Sequence, residues 1–169
     1  MDMTEADETF LLELLNTTPI VDGVQHDALD TGSAGRSWLR AHGHSASAEQ
    51  WQAVRAARSA LQAVVRGERS AGTLAPLLDG VSYRPSASGD GLHWKLDAPP
   101  GRTAVVRAVL AWGELRRTKP GRLRACANPE CALFLIDHSK PNKARWCSMA
   151  TCGNRMKARR HYERSRTEN

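Results

Sequence analysis

Four cysteines, the only ones in the chain, form two matched pairs in its C-terminal third. Four residues separate Cys126 from Cys131, four separate Cys147 from Cys152, and fifteen residues lie between the pairs. Two short cysteine arms that a turn brings together supply the four sulfur ligands of a tetrahedral Zn²⁺ site, and the length between the arms is typical of such sites. Because four thiolates leave no position open for water, we expect one structural Zn²⁺ and no hydrolysis at the metal.

Two disulfides are the alternative use of the same cysteines. The first residues of the chain are acidic, whereas a secretory signal begins with basic residues that lead into an apolar segment. We therefore expect a cytoplasmic protein, and thiols stay reduced in that compartment. No window approaches a membrane span, which needs about 18 consecutive apolar residues, so we expect no membrane partner. His138 is the one imidazole close to the cysteines, but four sulfurs already complete the tetrahedron.

The charge of the chain changes sign along its length. Residues 1–100 hold 8 Lys and Arg against 13 Asp and Glu, a net charge of −5, whereas residues 101–169 hold 16 against 5, a net charge of +11. Four thiolates on one Zn²⁺ would subtract two charges from the cysteine region and still leave it basic. A basic C-terminal part next to an acidic N-terminal part indicates a polyanionic partner for the former.

The residues that follow Cys152 predict a basic helix over residues 151–164. Six Lys and Arg lie between positions 155 and 166, opposed there only by Glu163. A solvated surface helix is the alternative, but arginine forks onto phosphates and guanine edges, which favours nucleic acid. The candidate DNA contacts are Arg155, Arg159 and Arg160 to bases or phosphates, and Lys140, Lys143, Arg145, Lys157 and Arg164 to phosphates.

The segments around the cysteines predict how the ligands are positioned. Asn128-Pro129 favours a tight turn between the first two cysteines. Residues 133–136 are predicted as a strand, 139–142 as a turn and 144–146 as a returning strand, after which Ser148 begins the basic helix. This order of knuckle, β-hairpin and helix is that of a treble-clef finger. So few large apolar side chains lie in the unit that metal binding should supply most of its stability.

The preceding residues predict a mostly helical domain with one β-hairpin. Helices are predicted over 10–15, 33–42, from the capping box of Ser47 and Gln50 to Gly67, over 71–79 and over 101–117. Alternating residues at 81–83 and 92–96 indicate half-buried strands, joined by a loop at 85–91. We predict an α+β chain with an N-terminal domain at 1–117, a boundary at 118–125 and the finger at 126–166.

The cysteine region resembles the CGNR zinc-finger family, named for the tetrad that stands here as Cys152-Gly153-Asn154-Arg155. The resemblance extends over about residues 122–164. The N-terminal part of the chain resembles the ABATE domain, a stress-induced transcription regulator domain that usually precedes such a finger. The features that carry this resemblance are Leu14-Leu-Asn-Thr17, the Trp38-Leu39 pair and the hairpin near Trp94. The resemblance implies structural zinc on the four cysteines and a helix, beginning at the tetrad, that contacts DNA in a bacterial regulator.

Two positions depart from the family pattern. In the family pattern an acidic residue usually stands just before the Asn-Thr pair. Here two leucines separate Glu13 from that pair. Ala132 follows Cys131 where glycine is frequent, and alanine tolerates positive φ poorly. Gly153 and Asn154 are poor residues for a helix interior, so they indicate a close approach of the backbone to the knuckle or to a phosphate.

We therefore expect a cytoplasmic DNA-binding transcription regulator that is not an enzyme. A zinc-finger adaptor that binds RNA or a protein is the alternative. The chain has no phosphate-binding loop, metalloprotease motif or nucleophile elbow. His26 with Asp22, Asp27 and Asp30 is the one polar cluster of interest, and we expect it to be a solvated acidic loop. A homodimer, and a small-molecule effector or protein partner of the N-terminal domain, stay open.

Overall fold

The computed structural model describes residues 4–167. The helices in this range are α1 (Glu5–Leu15), α2 (Gly32–Ala41), α3 (Ala48–Val65), α4 (Thr103–Thr118) and α5 (Asn154–Thr167), with a 3₁₀ helix at Ala71–Leu78 and a π-helical turn at Met149–Gly153. The strands are β1 (Ile20–Val21), β2 (Val24–Gln25), β3 (Ser82–Ser88), β4 (Gly91–Asp97), β5 (Leu123–Ala125) and β6 (Phe134–Ile136). They pair as three antiparallel hairpins, β1–β2, β3–β4 and β5–β6. The predicted α+β class is confirmed.

The helix ends follow local hydrogen-bonding chemistry. Thr4 caps α1, and its side chain and that of Asp7 form a complete capping box. Ser47 caps α3 by accepting the amide of Gln50, as predicted, but the Gln50 side chain donates instead to the Ser45 carbonyl at 2.6 Å. The predicted capping box is therefore only half formed. Residues 71–79, predicted as a helix, form a 3₁₀ helix that contains Pro76, which has no amide to donate.

One hydrophobic core joins α1, α3 and α4. α1 and α3 both pack on α4, and α2 and the 3₁₀ helix pack on α3. The side chains that fill this core without exposure to solvent include Leu11, Leu14, Leu15, Leu39, Leu61 and Val105. No described helix is both long enough and apolar enough to cross a membrane.

The β3–β4 hairpin has one apolar face and one polar face. Tyr83 lies opposite Leu96, and Pro85 lies opposite Trp94. The loop predicted at 85–91 is wrong, because the strands continue to a two-residue turn at Gly89-Asp90. The half-buried character predicted for both strands is also wrong along most of their length, since Trp94 is 61% exposed.

The two strands of the β5–β6 hairpin lie before and after the first cysteine pair in the chain. The predicted partner of β6, a returning strand at 144–146, is wrong, because β6 pairs with β5 instead. The amide and carbonyl of Phe134 are hydrogen-bonded to the side chain of Asn16. That side chain accepts from the Phe134 amide at 2.7 Å and donates to the Phe134 carbonyl at 3.2 Å. The returning segment keeps one backbone bond to the first arm, from the Ala127 amide to the Arg145 carbonyl at 2.8 Å.

The finger packs directly on the helical core. Phe134 and Ile136 belong to the same buried cluster as the leucines of α1 and α3. Glu8 of α1 contacts Lys119 at 2.9 Å and His138 at 3.1 Å. The hydrophobic core is thus continuous across residues 118–125, and the division into two domains there stays a prediction.

Candidate metal centre and basic helix

The four cysteine sulfurs converge on one point. Their Sγ atoms all lie within 4.8 Å of one another, and those of Cys131 and Cys152 each lie 3.7 Å from that of Cys147. A tetrahedron with Zn–S bonds of about 2.3 Å has S–S edges of about 3.8 Å, so the spacing fits Zn²⁺. A disulfide needs about 2.05 Å, and all four cysteines are free thiols. The predicted ligand set and the one structural Zn²⁺ are therefore supported by geometry.

Each ligand is held by a different piece of local structure. Cys126 directly follows β5, and Cys131 closes a tight turn by donating its amide to the Asn128 carbonyl at 3.0 Å. Cys147 ends the returning segment, and Cys152 lies in the π-helical turn. The buried Asn128 side chain donates to the Cys152 sulfur at 3.4 Å and so joins the first arm to the second. From the sequence Asn128 was expected only to form a turn.

Burial and mutual proximity disfavour the thiolate form of two of the four sulfurs. Burial raises the pKa of the Cys131 thiol to about 11 and raises the pKa of Cys147 further, where neighbouring sulfurs add to the effect. Burial also acts on Cys152, but hydrogen bonds from Asn128 and neighbouring sulfurs lower its pKa overall. Four thiolates so close together require a dication, and a structural Zn²⁺ would supply that charge and crosslink the two arms.

A buried aspartate organises the loop between the two cysteine pairs. Asp137 is 3% exposed, and its carboxylate accepts from the Ser139 amide at 2.9 Å, the Ala144 amide at 2.7 Å and Arg124 at 2.9 Å. Hydrogen bonds from Ser139 and Ala144 lower the pKa of Asp137 to about 2. Arg124 also binds the side chain of Asn142, which has a positive φ of 49°. This network fixes the course of the chain towards Cys147.

Two arginines therefore stabilise the finger: Arg124, which lies in β5, and Arg122, which directly precedes β5. Arg122 donates to the Asp137 carbonyl at 2.5 Å and to the Ser139 carbonyl at 2.7 Å. In the sequence both arginines are distinguished only by their positive charge. The signal for the network is an aspartate after a buried strand with serine two residues later, which is the pattern of an Asx turn.

The start of α5 is packed, but the rest of the helix is exposed. A Cβ on Gly153 would lie 2.7 Å from the sulfur of Met149 and 3.2 Å from the ring of Trp146, so the expected close approach is to these side chains. Between Asn154 and Arg166 only Met156 is partly buried. Tyr162 is 71% exposed, because no other element covers this part of α5 among the described residues.

The predicted DNA contacts fall into three groups. The guanidinium groups of Arg145 and Arg160 lie 5.2 Å and 6.0 Å from the centre of the Trp146 ring, so the structure brings these two residues together. Arg159 is paired with Glu130 at 3.3 Å and with Glu163 at 3.4 Å, which partly neutralises it. The remaining candidates are exposed on the loop after β6 or on α5: Lys140, Lys143, Arg155, Lys157 and Arg164.

The polar cluster near His26 has a structural role that the sequence did not reveal. Asp27 forms a two-pronged ion pair with Arg58 at 2.5 Å and 2.8 Å, and Arg58 is 5% exposed. Arg58 also donates to Thr17 at 3.0 Å and lowers the pKa of Asp27. The expectation of a solvated loop is wrong for Asp27, although His26 itself is exposed. Among the described residues only the four cysteines have the geometry of a metal site.

The comparisons with known families agree with this architecture. Residues 8–127 match the ABATE family, described as "Putative stress-induced transcription regulator". The chain belongs to the ABATE family. Residues 122–165 match the CGNR zinc finger, so the two ABATE and CGNR matches overlap across β5 and Cys126. No curated protein matches the chain in sequence.

Both departures from the family pattern are accommodated in this ABATE protein. Among the described residues other than glycine, only Asp22 and Asn142 have positive φ, so Ala132 is not strained. Glu13 accepts a hydrogen bond from the ring of His42 at 2.5 Å. The Asn16-Thr17 pair performs two tasks, since Asn16 holds the finger and Thr17 contacts the buried Arg58.

Proposed function

We propose that this ABATE protein is a cytoplasmic DNA-binding transcription regulator whose zinc finger presents α5 to duplex DNA. The observation that carries the proposal is the position of α5, which is anchored at the zinc site by its first turn and otherwise exposed. An α-helix with its side chains is about 10–12 Å wide, which matches the width of the major groove. The proposed role needs no chemistry at the metal, where four sulfur ligands leave no position open for water.

The electrostatics of α5 favour particular contacts. Arg155 and Lys157 are exposed and have no acidic partner within residues 4–167. Arg160 stands beside Arg145 at the Trp146 ring. We assign the main contacts to Arg155 and Arg160. Arg159 must first leave Glu130 and Glu163, so it should contribute less to binding.

The salt dependence of DNA binding tests the proposal. Five or six phosphate contacts predict a slope of roughly −5 when the logarithm of the binding constant is plotted against the logarithm of salt concentration. The double variant Arg155→Gln/Arg160→Gln should make the slope shallower by about 2. Arg84→Gln, a change on the distant β3–β4 hairpin, is the control and should leave the slope unchanged. A slope near zero for the zinc-loaded wild type contradicts the proposal.

An RNA-binding role is the second candidate, favoured by one observation. Tyr162 is 71% exposed on the same basic helix, and exposed aromatic rings stack on unpaired RNA bases. Competition between duplex DNA and a structured RNA separates the two functions. If RNA displaces DNA and Tyr162→Ala weakens only the RNA complex, the adaptor role is favoured instead.

A further inference from the structure

A cleft of about 540 Å³ lies where the ABATE helices meet the finger. It is formed by the C-terminal end of α3 and the turn after it, the last turns of α4, and the chain that enters β5. This volume is within the range of about 300–1,000 Å³ that is usual for small-molecule sites. Every lining residue lies within the ABATE match, and the cleft ends at β5, the strand that leads to Cys126.

The side chains around this cleft combine apolar walls with positive charge. Val64, Leu115 and Leu123 are apolar, and Trp112 presents a partly buried ring. The cations around the cleft are Arg66, Arg69, Arg116 and Lys119, and no acidic residue of the part of the chain that the structure describes lines it. Lys119 is paired with Glu8, whereas the three arginines have no carboxylate partner within residues 4–167.

The arrangement of these arginines suits an anion with an apolar body. The Arg116 guanidinium lies over the Trp112 ring at 5.5 Å, which keeps a cation next to a flat apolar surface. Arginine presents parallel N–H donors that match the oxygens of a carboxylate or phosphate. The three arginines are exposed to solvent, so an anion would gain from their charge, whereas a neutral ligand would gain nothing from it and a cation would be repelled.

Arg66 connects the cleft to the zinc knuckle. It lines the cleft, lies 4.9 Å from the centre of the Phe134 ring, and donates to the Ala132 carbonyl at 3.4 Å. Ala132 directly follows the ligand Cys131, and the next amide, that of Leu133, donates to the Cys131 sulfur at 3.4 Å. An anion that draws Arg66 into the cleft must therefore weaken a contact beside the metal site.

We propose that this cleft binds a small organic oxyanion, a carboxylate or phosphate carried by a flat apolar group, and that Arg66 transmits its binding to the knuckle. Binding at the cleft does not depend on the function of α5, whereas an effect on DNA rests on the proposed function. By thermodynamic linkage, an anion that alters the finger's affinity for DNA has its own affinity altered by DNA to the same extent.

Four probes separate charge from apolar surface in calorimetric titrations of the zinc-loaded full chain. They are 1-naphthoate, 1-naphthyl phosphate, 1-naphthalenemethanol and inorganic phosphate. At least one naphthyl anion should bind with one-to-one stoichiometry and a Kd below about 1 mM. The alcohol, which lacks the charge, and inorganic phosphate, which lacks the ring, should each bind at least about tenfold more weakly. Equal binding of the alcohol, or no binding of either naphthyl anion, overturns the proposal.

A matched pair of double variants locates the site. Arg69→Gln/Arg116→Gln should weaken binding of the naphthyl anion by about tenfold or more, because charge-assisted hydrogen bonds are lost. Arg107→Gln/Arg117→Gln removes the same charge from positions outside the cleft and should leave binding unchanged, with thermal unfolding checked for both. In NMR spectra the indole signal of Trp112 should shift on binding, and that of Trp38 should not. Equal losses in the two double variants overturn the assignment.

The link through Arg66 is measured without DNA. The naphthyl anion should shift the amide signals of Leu133 and Phe134 in the wild type, and these shifts should be lost in Arg66→Gln at saturating ligand. Persistent shifts in that variant overturn the transmission step. If the anion binds as described but the protein has no affinity for duplex DNA, the proposed DNA-binding function fails while the ligand site stands.

Discussion

Of the two hairpins β3–β4 and β5–β6, the longer one is the more exposed and the shorter one is the more buried. β3–β4 has seven residues in each strand, yet Leu92 and Trp94 on its apolar face are 71% and 61% exposed. β5–β6 has three residues in each strand, and all three residues of β6 are buried. The number of paired residues therefore does not determine how firmly a hairpin is attached to the molecule.

The attachment of β5–β6 comes from side chains of other elements. Phe134 enters the core, the Asn16 side chain occupies its outward backbone groups, and Arg66 lies over its ring. Metal ligands stand directly before and after the hairpin's turn, at Cys126 and Cys131. The finger is thus held both by zinc and by the ABATE core, whereas β3–β4 has neither support.

Removal of the metal should produce the largest effect and test these two supports. Cys147→Ser should abolish equimolar zinc binding and disorder the knuckle and α5, since structural zinc contributes up to about 10–16 kcal/mol in isolated fingers. Because β5–β6 is also packed on the core, its amides should keep their protection from hydrogen exchange.

Zinc analysis and hydrogen exchange on the same samples check this outcome. His138→Asn is the control, and it should retain one zinc per chain because His138 contacts Glu8 rather than the metal site. Loss of protection in β6 together with α5 would show that zinc alone holds the hairpin.

Replacing one aromatic residue in each hairpin by alanine should give the next largest effect, a difference in the free energy of unfolding. Phe134→Ala removes a fully buried ring and should lower the free energy of unfolding by about 3–5 kcal/mol. Trp94→Ala removes a mostly exposed ring and should cost about 0.5 kcal/mol or less. Denaturant unfolding of both variants measures the difference, and similar losses would mean that the apolar face of β3–β4 is covered in solution.

The sequence predicted the metal ligands better than it predicted the attachment of the hairpins. Cysteine spacing identifies ligands because a tetrahedral site permits few arrangements, and periodicity located α3 and α4 because each has an apolar face. Alternation along β3–β4 correctly indicated an apolar face, but it could not show whether another element covers that face. The returning strand at 144–146 was wrong because Asn16, 118 residues before Phe134, occupies the edge of β6. Such long-range contacts leave no local pattern.

Loss of the Asn16 side chain should have a smaller effect than loss of the Phe134 ring. Asn16→Ala leaves the amide and carbonyl of Phe134 without partners in a partly buried place, which should cost about 1–3 kcal/mol. Asn154→Ala is the control, because that side chain makes one exposed hydrogen bond to Ala150 and should cost about 0.5 kcal/mol or less. If chemical denaturation gives equal values for both, Asn16 does not hold the hairpin.

The smallest expected effect is a difference in pKa behaviour between two aspartates, one from each hairpin region. Asp137 has its pKa lowered to about 2, first by Ser139 and then by the Ala144 amide. Asp90, in the exposed turn of β3–β4, has its pKa lowered by Ser88 and His93. Because both folded-state pKa values lie below the unfolded value of about 3.9, each carboxylate stabilises the fold above that pH. The stabilisation is lost as the pH falls through the folded-state pKa.

NMR titration of the carboxyl carbons separates the two aspartates. At pH 4, where an ordinary aspartate is about half protonated, Asp137 should still be fully ionised in zinc-loaded protein. Raising the salt concentration from about 0.05 M to 0.5 M should raise the pKa of Asp90 by weakening its exposed contact with His93, because exposed charges are screened, whereas the hydrogen bond from the Ser88 hydroxyl should persist. The pKa of Asp137 should change less, since the two groups that lower it most, Ser139 and the Ala144 amide, are uncharged and act on a buried carboxylate, whereas Arg124 adds the one charged contact. A midpoint near 3.9 for Asp137 would mean that the loop leading to Cys147 is open in solution, with the finger held by its sulfurs alone.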